Sequence, residues 1–413
     1  MFITYMNPPR YRQLSFEELL SGVENLDALK WGDPTSTRTV IVPRCPAKLE
    51  RITNYAYLYE SLKSFNAFNK ELIECAANNK MDVHYRHFNL RKRTYKPRRQ
   101  GEDYQKWFDK NHRPIDAPDN ELQNAQRNLK SILEGTMIAS HHSAAYAYVE
   151  GRSTVKAVMK HQQWESRWFA DFDFSKFFPS TNMEFVISMF RNIYPFEGIV
   201  RKYKDGEDVL RKALSICFLN GGLPQGTPIS PFITNVMMIP FDHIMANKLH
   251  NFQFQNGRVD RLVYTRYADD ICVSCRVGFR FKEIEAFIVN TLKELGAPFQ
   301  LNTSKTHYGN RNGSNYRLGV IINRDNKITP GHEKMKHFKA DLNNYVMDRT
   351  NGHPWPLEEV QRLSGNLSYL KSIYKATADD KSAETYVEYV VRHMGEKYNL
   401  DIKQAIREDL YPR

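Results

Sequence analysis

The chain has 413 residues, with 59 Lys and Arg against 47 Asp and Glu, and a formal charge of +12. That length exceeds one small core and predicts two or three lobes. No apolar run reaches membrane-spanning length, the N-terminus lacks a secretory pattern, and five cysteines without framework spacing point to a reducing compartment. The expectation is therefore a cytoplasmic protein with no membrane partner.

Apolar spacing predicts helices over Phe16–Leu20 and Tyr55–Lys80. Residues 81–120 read as loop or irregular sheet. Within them His84–Arg99 carries Arg86, Arg91, Lys92, Arg93, Lys96, Arg98 and Arg99 without an acid. Tyr85, Phe88 and Tyr95 are interleaved with these cations. The mixture suits a phosphate backbone and unstacked bases, with a solvated basic loop as the alternative. Helices are predicted at Leu122–Leu133 and at Ser153–Gln162, the second with Ser153 as N-cap. Arg167–Phe174 reads as a strand. Further helices fall at Val209–Phe218, at Pro231–Leu249 with a kink at Pro240, and at Lys282–Leu295. The apolar runs flanking Asp269-Asp270 form a hairpin. Gln300-Leu301 and Tyr316–Ile322 read as short strands, and the chain from about 330 onward is helical with a break at Pro354-Trp-Pro356. Hairpins mixed with helices predict an α+β sheet covered by helices.

Two places concentrate carboxylates. Period two in the strand puts Phe169, Asp171 and Asp173 on one face, and Trp168, Ala170, Phe172 and Phe174 on the other. The acidic face either opens into a cleft or is a solvent-facing sheet surface. Tyr267-Ala268-Asp269-Asp270 supplies two more acids at a strand–turn–strand tip. Strands deplete Asp, and neighbouring carboxylates repel unless a cation neutralises them. Distant carboxylates gathered on adjacent strands suit two-metal phosphoryl transfer. Cys272 and Cys275 form a C-x-x-C, but a strand offset of three puts them on opposite faces and no second pair exists. His141-His142 is expected in a turn or a segment facing nucleic acid. His161 is expected near a helix end, where a cation suits the dipole.

The ordered motifs Asp173-Phe-Ser-Lys-Phe-Phe-Pro-Ser180, Leu223-Pro-Gln-Gly-Thr-Pro-Ile-Ser-Pro231, Tyr267-Ala-Asp-Asp270 and Leu301-Asn-Thr-Ser-Lys-Thr306 resemble the palm of bacterial reverse transcriptases of the retron and group II intron type. Asn111–Pro118, Ala145–Ser153 and Leu363–Leu370 are similar to that family's fingers and thumb blocks. Lys156-Ala-Val-Met-Lys-His161 and Arg317-Leu-Gly319 keep only part of two retron signatures. The stand-alone build is most similar to the defence-associated, anti-phage members.

The resemblance implies a right-hand polymerase with an antiparallel palm sheet and a helical thumb. Residues 1–80 would be an N-terminal helical extension, 81–165 the basic fingers, 166–325 the palm partly interleaved with fingers, and 326–413 the thumb and tail. It implies Asp173, Asp269, Asp270 and the Phe174 carbonyl as ligands of two Mg²⁺ ions, for which Mn²⁺ can stand in. Arg113, Phe178, Gln225, Gly226 and Lys305 would contact the nucleotide, with Phe178 as the aromatic gate against a 2′-hydroxyl. Tyr316–Ile322 would grip the primer end. Arg91, Lys92, Arg93, Lys96, Arg98 and Arg99 would contact nucleic acid. The implied activity is RNA-directed DNA synthesis from dNTPs, on a structured non-coding RNA template with a cDNA product. The same motifs also fit a template-independent DNA polymerase, and a catalytically silent RNA-binding scaffold is the rival from another class.

Overall fold

The computed structural model describes residues 2–3, 14–15, 55–92, 96–137, 140–311, 317–378, 380 and 382–411. The expected helix Phe16–Leu20, the cation Arg93 and the first residue of Tyr316–Ile322 lie outside them. The chain divides into two compact units. One comprises Met1–Glu150, Asp171–Cys272 and Arg280–Thr306; the other comprises Gly151–Ala170, Val273–Phe279 and His307–Arg413.

After the short antiparallel pair Phe2–Ile3 and Leu14–Ser15, the first unit has two helices, Tyr55–Phe68 and Lys70–Ala77, where one was expected. The break is Asn69. Its side-chain Nδ2 donates to the Phe65 carbonyl at 2.9 Å, so a short amide competes with the backbone ladder. The segment read as loop or irregular sheet contains an antiparallel ladder, Tyr85–Arg91 against His112–Pro118, with Tyr85 opposite Pro118 and Phe88 opposite Ile115. Apolar cross-strand pairs hold it among the charges. Helix Tyr104–Asn111 lies in the connection and is capped by Asp103, which accepts from the Lys106 amide at 2.8 Å. Helix Asn120–Thr136 starts at Asp119, whose carboxylate accepts from the Leu122 amide at 2.9 Å. Its Leu122, Leu129 and Leu133 are fully buried at helical spacing.

The strand segments of this unit run in the order Gln300–Leu301, 171–175, 270–272, Val263–Tyr267. Gln300 lies opposite Ser175 and Leu301 opposite Phe174, antiparallel. Beneath the sheet Phe174 meets Phe299 at 5.0 Å, Phe177 at 5.5 Å and Phe241 at 5.9 Å between ring centroids. This aromatic cluster fixes the strand that carries Asp173. The long helix expected over Pro231–Leu249 is two, Ser230–Met237 and Ile239–His250. Pro240 starts the second helix rather than kinking one, because its missing N–H costs least in a first turn.

In the second unit helix Thr154–Gln163 begins where Ser153 accepts from the Lys156 amide at 3.2 Å, as expected. The strand His307–Asn310 joins the start of Trp168–Ser175. Phe169 and Ala170 are both buried, so the open and covered faces expected of that strand are not distinct here. The Arg317 guanidinium covers the Phe169 ring at 5.0 Å. The expected strand Tyr316–Ile322 is smaller: Arg317 and Val320 bridge across a tight turn, and only Ile321–Ile322 pairs as a strand, with Ile328–Thr329. His161 also corrects its expectation. It is fully buried, its Nδ1 is 2.6 Å from Ser274 Oγ, and burial drives its pKa down to about 3. It is a neutral core residue, not a helix-end cation. Four helices follow, His332–Thr350, Leu357–Thr377, Tyr386–Tyr398 and Ile402–Leu410. Thr385 and Glu388 form a reciprocal capping box at the third. Tyr345 Oη donates to Asp409 at 2.6 Å, and Arg349 pairs with Asp409 and Glu408.

Candidate active site

The tip of the hairpin between Val263–Tyr267 and Asp270–Cys275 is a single left-handed residue, Ala268, at φ +56. That turn sets Asp269 and Asp270 side by side. The Phe174 amide donates to the Asp269 carbonyl at 3.1 Å, which places Asp173 on the neighbouring strand beside them. Residues almost a hundred positions apart are thereby gathered on two adjacent strands.

The turn is held from below. Arg266 is fully buried and donates to both oxygens of the equally buried Asp242, Nε to Oδ1 at 2.8 Å and Nη2 to Oδ2 at 2.7 Å. Its Nη1 donates to the Ala268 carbonyl at 3.1 Å. Tyr264 Oη donates to Asp242 Oδ1 at 2.6 Å. A buried charge needs a partner and its remaining hydrogen bonds, and this network supplies both. Sequence reasoning missed it. The available signal was a pair of charges, Arg266 and Asp242, each inside an otherwise apolar element.

Electrostatics confirm the crowding of the three carboxylates. Burial raises the Asp269 carboxyl above the ordinary range; Asp173 pushes the same way, while Lys305 and Arg113 pull against it. Asp270 is pushed up to about 7, first by burial and then by Asp269 and Asp173. Solvent reaches the outer side of Asp270. Asp173 is 7% exposed, and Lys305 Nζ lies 2.9 and 3.1 Å from its two oxygens.

The donor set fits a hard divalent cation by chemistry: carboxylate oxygens with unrelieved mutual repulsion, and a lysine ammonium already drawn to one of them. Among the described residues no three His, Cys, Asp or Glu side chains stand together at full ligand spacing. The Lys305 ammonium is the cation that neutralises Asp173 here.

Around the carboxylates, Phe178 is half-buried, with its ring edge-on to Phe177 at 5.6 Å and to Tyr148 at 6.5 Å. Phe177, buried among Phe174 and Phe299, is the core member of that pair. Tyr148 was inside a quoted motif but not singled out. It is 59% exposed at φ +57, and its phenol is raised by burial and then by Asp269 and Tyr267, against Arg113.

Gly226 has φ +115, and a Cβ there would meet Ile115 Cγ2 at 2.8 Å. The Asp116 amide donates to the Gln225 carbonyl at 2.8 Å. The close approach in this loop is therefore to the 112–118 strand. Gly222, just ahead of the motif, is equally constrained: a Cβ would lie 2.0 Å from the Pro179 carbonyl oxygen. The Leu223 amide also donates to the Phe178 carbonyl at 3.0 Å.

Arg113 is exposed on the basic hairpin and close enough to lower the Asp269 carboxyl. Of the other cations, Lys92 donates to the carbonyls of Asp109 and Lys110 at 2.8 and 3.1 Å, closing the end of the Tyr104–Asn111 helix. Burial lowers its pKa, and Arg113 and Lys305 lower it further. Arg98 lies 5.6 Å from the Tyr104 ring. Arg91, Lys96 and Arg99 are exposed. His142 is buried in a turn, 6.5 Å from the His243 ring. Cys272 and Cys275 are each buried, and no disulfide joins them.

The family described as reverse transcriptase (RNA-dependent DNA polymerase) matches residues 97–330. The retron Ec73 reverse transcriptase of Escherichia coli is 29% identical over 242 residues, 56% of this chain and 70% of that protein. The retron Ec83 enzyme of the same species is 26% identical, covering 55% and 70%. The retron Mx162 enzyme of Myxococcus xanthus is 25% identical, covering 63% and 55%. Among solved structures, telomerases of Candida albicans and Candida tropicalis are similar at TM-scores of 0.36 and 0.37, with 10% identity. They cover 73% of this chain and 58% and 61% of their own, and scores this low carry no argument. With the match spanning more than half its length, the chain belongs to the reverse transcriptase family of RNA-dependent DNA polymerases, and its curated relatives are of the bacterial retron type.

Proposed function

We propose that this chain extends a primer 3′-end with dNTPs on an RNA template. The observation that carries the reading is the gathering of Asp173, Asp269 and Asp270 on two adjacent strands inside the family match. These carboxylates, with the Phe174 carbonyl, would hold two Mg²⁺ ions. Bound there, such ions would lower the pKa of the attacking hydroxyl and neutralise the leaving pyrophosphate. Arg113 offers a guanidinium that forks to triphosphate oxygens. Lys305, whose side chain is 61% exposed, would leave Asp173 and follow the pyrophosphate charge. Phe178, edge-on to Tyr148, would wall the sugar against a 2′-hydroxyl, and the Gln225-Gly226 loop would seat base and template. Arg91, Lys96, Arg98 and Arg99 would bind the template backbone. The proposed domains are fingers at 81–165, palm at 166–325 and thumb at 326–413.

The finer reading is a cytoplasmic enzyme that copies a structured partner RNA in defence against phage. The test supplies poly(rA) with an oligo(dT) primer, dTTP and Mg²⁺, and sequences the product. Extension that depends on template and is lost in Asp269→Asn is expected. Equal synthesis without template would replace the reading with untemplated polymerisation. Full synthesis by Asp269→Asn would remove the carboxylates from the chemistry.

A further inference from the structure

In the first unit, the hairpin of Tyr85–Arg91 and His112–Pro118 carries a histidine set between two carboxylates. His87 Nδ1 lies 2.8 Å from Asp116 Oδ1, and its Nε2 lies 3.2 Å from Asp82 Oδ1. Asp116 is the cross-strand neighbour of His87, and Asp82 comes from the short turn Met81–His84 ahead of the hairpin. A neutral imidazole has one N–H and one lone pair, so it donates to one of these acids and turns a lone pair toward the other. Only the imidazolium donates to both, and the geometry is therefore that of the protonated ring. The bond to Asp116 raises the His87 pKa above the ordinary 6.5, against burial, and Asp82 adds to the rise. Tyr85, on the same strand with its ring 6.5 Å away, stays neutral because burial raises its phenol. His84 differs. It meets one acid among the described residues, Asp119 at 2.8 Å, which a neutral ring satisfies.

The Asp116 amide connects this pair to the candidate active site. It donates to the Gln225 carbonyl at 2.8 Å, so it is turned out of the ladder. His87 and Asp116 thus form a non-hydrogen-bonded cross-strand pair, the kind whose side chains approach most closely. Their side chains are the tie across the ladder at that residue. The Gln225-Gly226 loop rests on the same strand without slack: a Cβ on Gly226 would meet Ile115 Cγ2 at 2.8 Å and the Asp116 carbonyl oxygen at 3.1 Å. Its other side is anchored where the Leu223 amide donates to the Phe178 carbonyl at 3.0 Å. A shift of Asp116 is therefore passed to Gln225 while the Phe178 side stays fixed.

We propose that His87 is a positioning residue: protonated, it clamps Asp82 to Asp116, fixes the strand His112–Pro118, and through the Asp116 amide sets the Gln225-Gly226 loop for the incoming nucleotide. The inference rests on the reading of that loop as the nucleotide seat. Because the His87 pKa is raised on folding, the clamp is complete below pH 6.5 and is lost as pH rises through the folded value. The first measurement is hydrogen exchange of the full chain without substrate, corrected for intrinsic rates, over about pH 6 to 9. It reads the peptides spanning 112–118 and 223–228 in the wild type, His87→Ala and Asp82→Asn. In the wild type, protection of both peptides should fall together by about fivefold or more as pH rises. In His87→Ala it should be low and flat, with unchanged circular dichroism. In Asp82→Asn it should be high and flat, because the asparagine amide donates to the lone pair of a neutral ring. The second measurement is primer extension, where the wild-type KM for dNTP should rise about tenfold relative to Asp82→Asn over the same range while kcat changes alike in both. Equal protection of 223–228 in wild type and His87→Ala at every pH would overturn the proposal, as would a wild-type KM that tracks Asp82→Asn. Coupled exchange in a chain that extends no primer would leave the clamp standing and remove the nucleotide reading of the loop.

Discussion

Arg266 carries the sharpest prediction because stability and positioning can be separated there. In Arg266→Met, the fully buried Asp242 loses two guanidinium donors and keeps the Tyr264 hydroxyl. Breaking a buried pair on one side costs about 3–5 kcal/mol. For a cooperative unit of this size that lowers Tm by on the order of 10 °C. Removing all three polar partners in Arg266→Met, Asp242→Leu, Tyr264→Phe leaves no buried charge and no unpaired phenol. Such replacements are close to neutral, within about 2 kcal/mol of the parent. The triple variant still lacks the bond from Arg266 Nη1 to the Ala268 carbonyl, so the left-handed turn that presents Asp269 and Asp270 relaxes. Displacement of that order costs about 10- to 100-fold in kcat, with a smaller change in KM for dNTP. The assays are calorimetric unfolding and steady-state primer extension on the three proteins. A triple variant with parental kcat would refute the positioning role. An Arg266→Met protein with parental Tm would refute the burial of the pair.

Three further expectations rest on other parts of the molecule. His161 titrates near its ordinary 6.5 when unfolded and near 3 when folded, so its stabilisation is complete above 6.5 and is lost as pH falls toward 3. At pH 5 that loss is about 2 kcal/mol, and His161→Gln should remove it from the difference between urea midpoints at pH 7 and pH 5; an unchanged pH slope would place His161 in contact with water. Phe178→Ala should raise rNTP incorporation relative to dNTP by about 10- to 100-fold, read from competing single-nucleotide extensions, and an unchanged ratio would return Phe178 to the core. Gly226→Ala adds about 1–3 kcal/mol of backbone strain together with the contact on Ile115, whereas Gly257→Ala, at φ +81 with open space around it, adds strain alone. Extension should fall much further in the first than in the second; equal losses would show that the approach to Ile115 does not matter.

What the sequence revealed and what it hid divide along a physical line. Asp173, Asp269 and Asp270 were legible because strand alternation and a two-acid turn leave a local mark, and a resemblance in ordered motifs supplied the roles proposed for them. Helices with a capping residue and regular leucine spacing, such as Asn120–Thr136, were legible for the same reason. The helix break at Asn69 depends on which carbonyl a short amide reaches, and the periodicity of Tyr55–Lys80 does not encode that choice. The ladder Tyr85–Arg91 with His112–Pro118 was masked by its own charges, since two apolar pairs are enough to set its register. His161 looked like a helix-end cation because its helix was visible and Ser274, more than a hundred residues on, was not. The Arg266–Asp242 pair follows the same logic. Each charge alone looks like an error in an apolar element, and only their meeting explains both. The part of the site that positions the carboxylates is therefore nonlocal, while the carboxylates themselves are local. A search for such positioning groups in this family of folds should begin from charged residues that violate the apolar pattern next to a motif, as Arg266 does one residue before Tyr267.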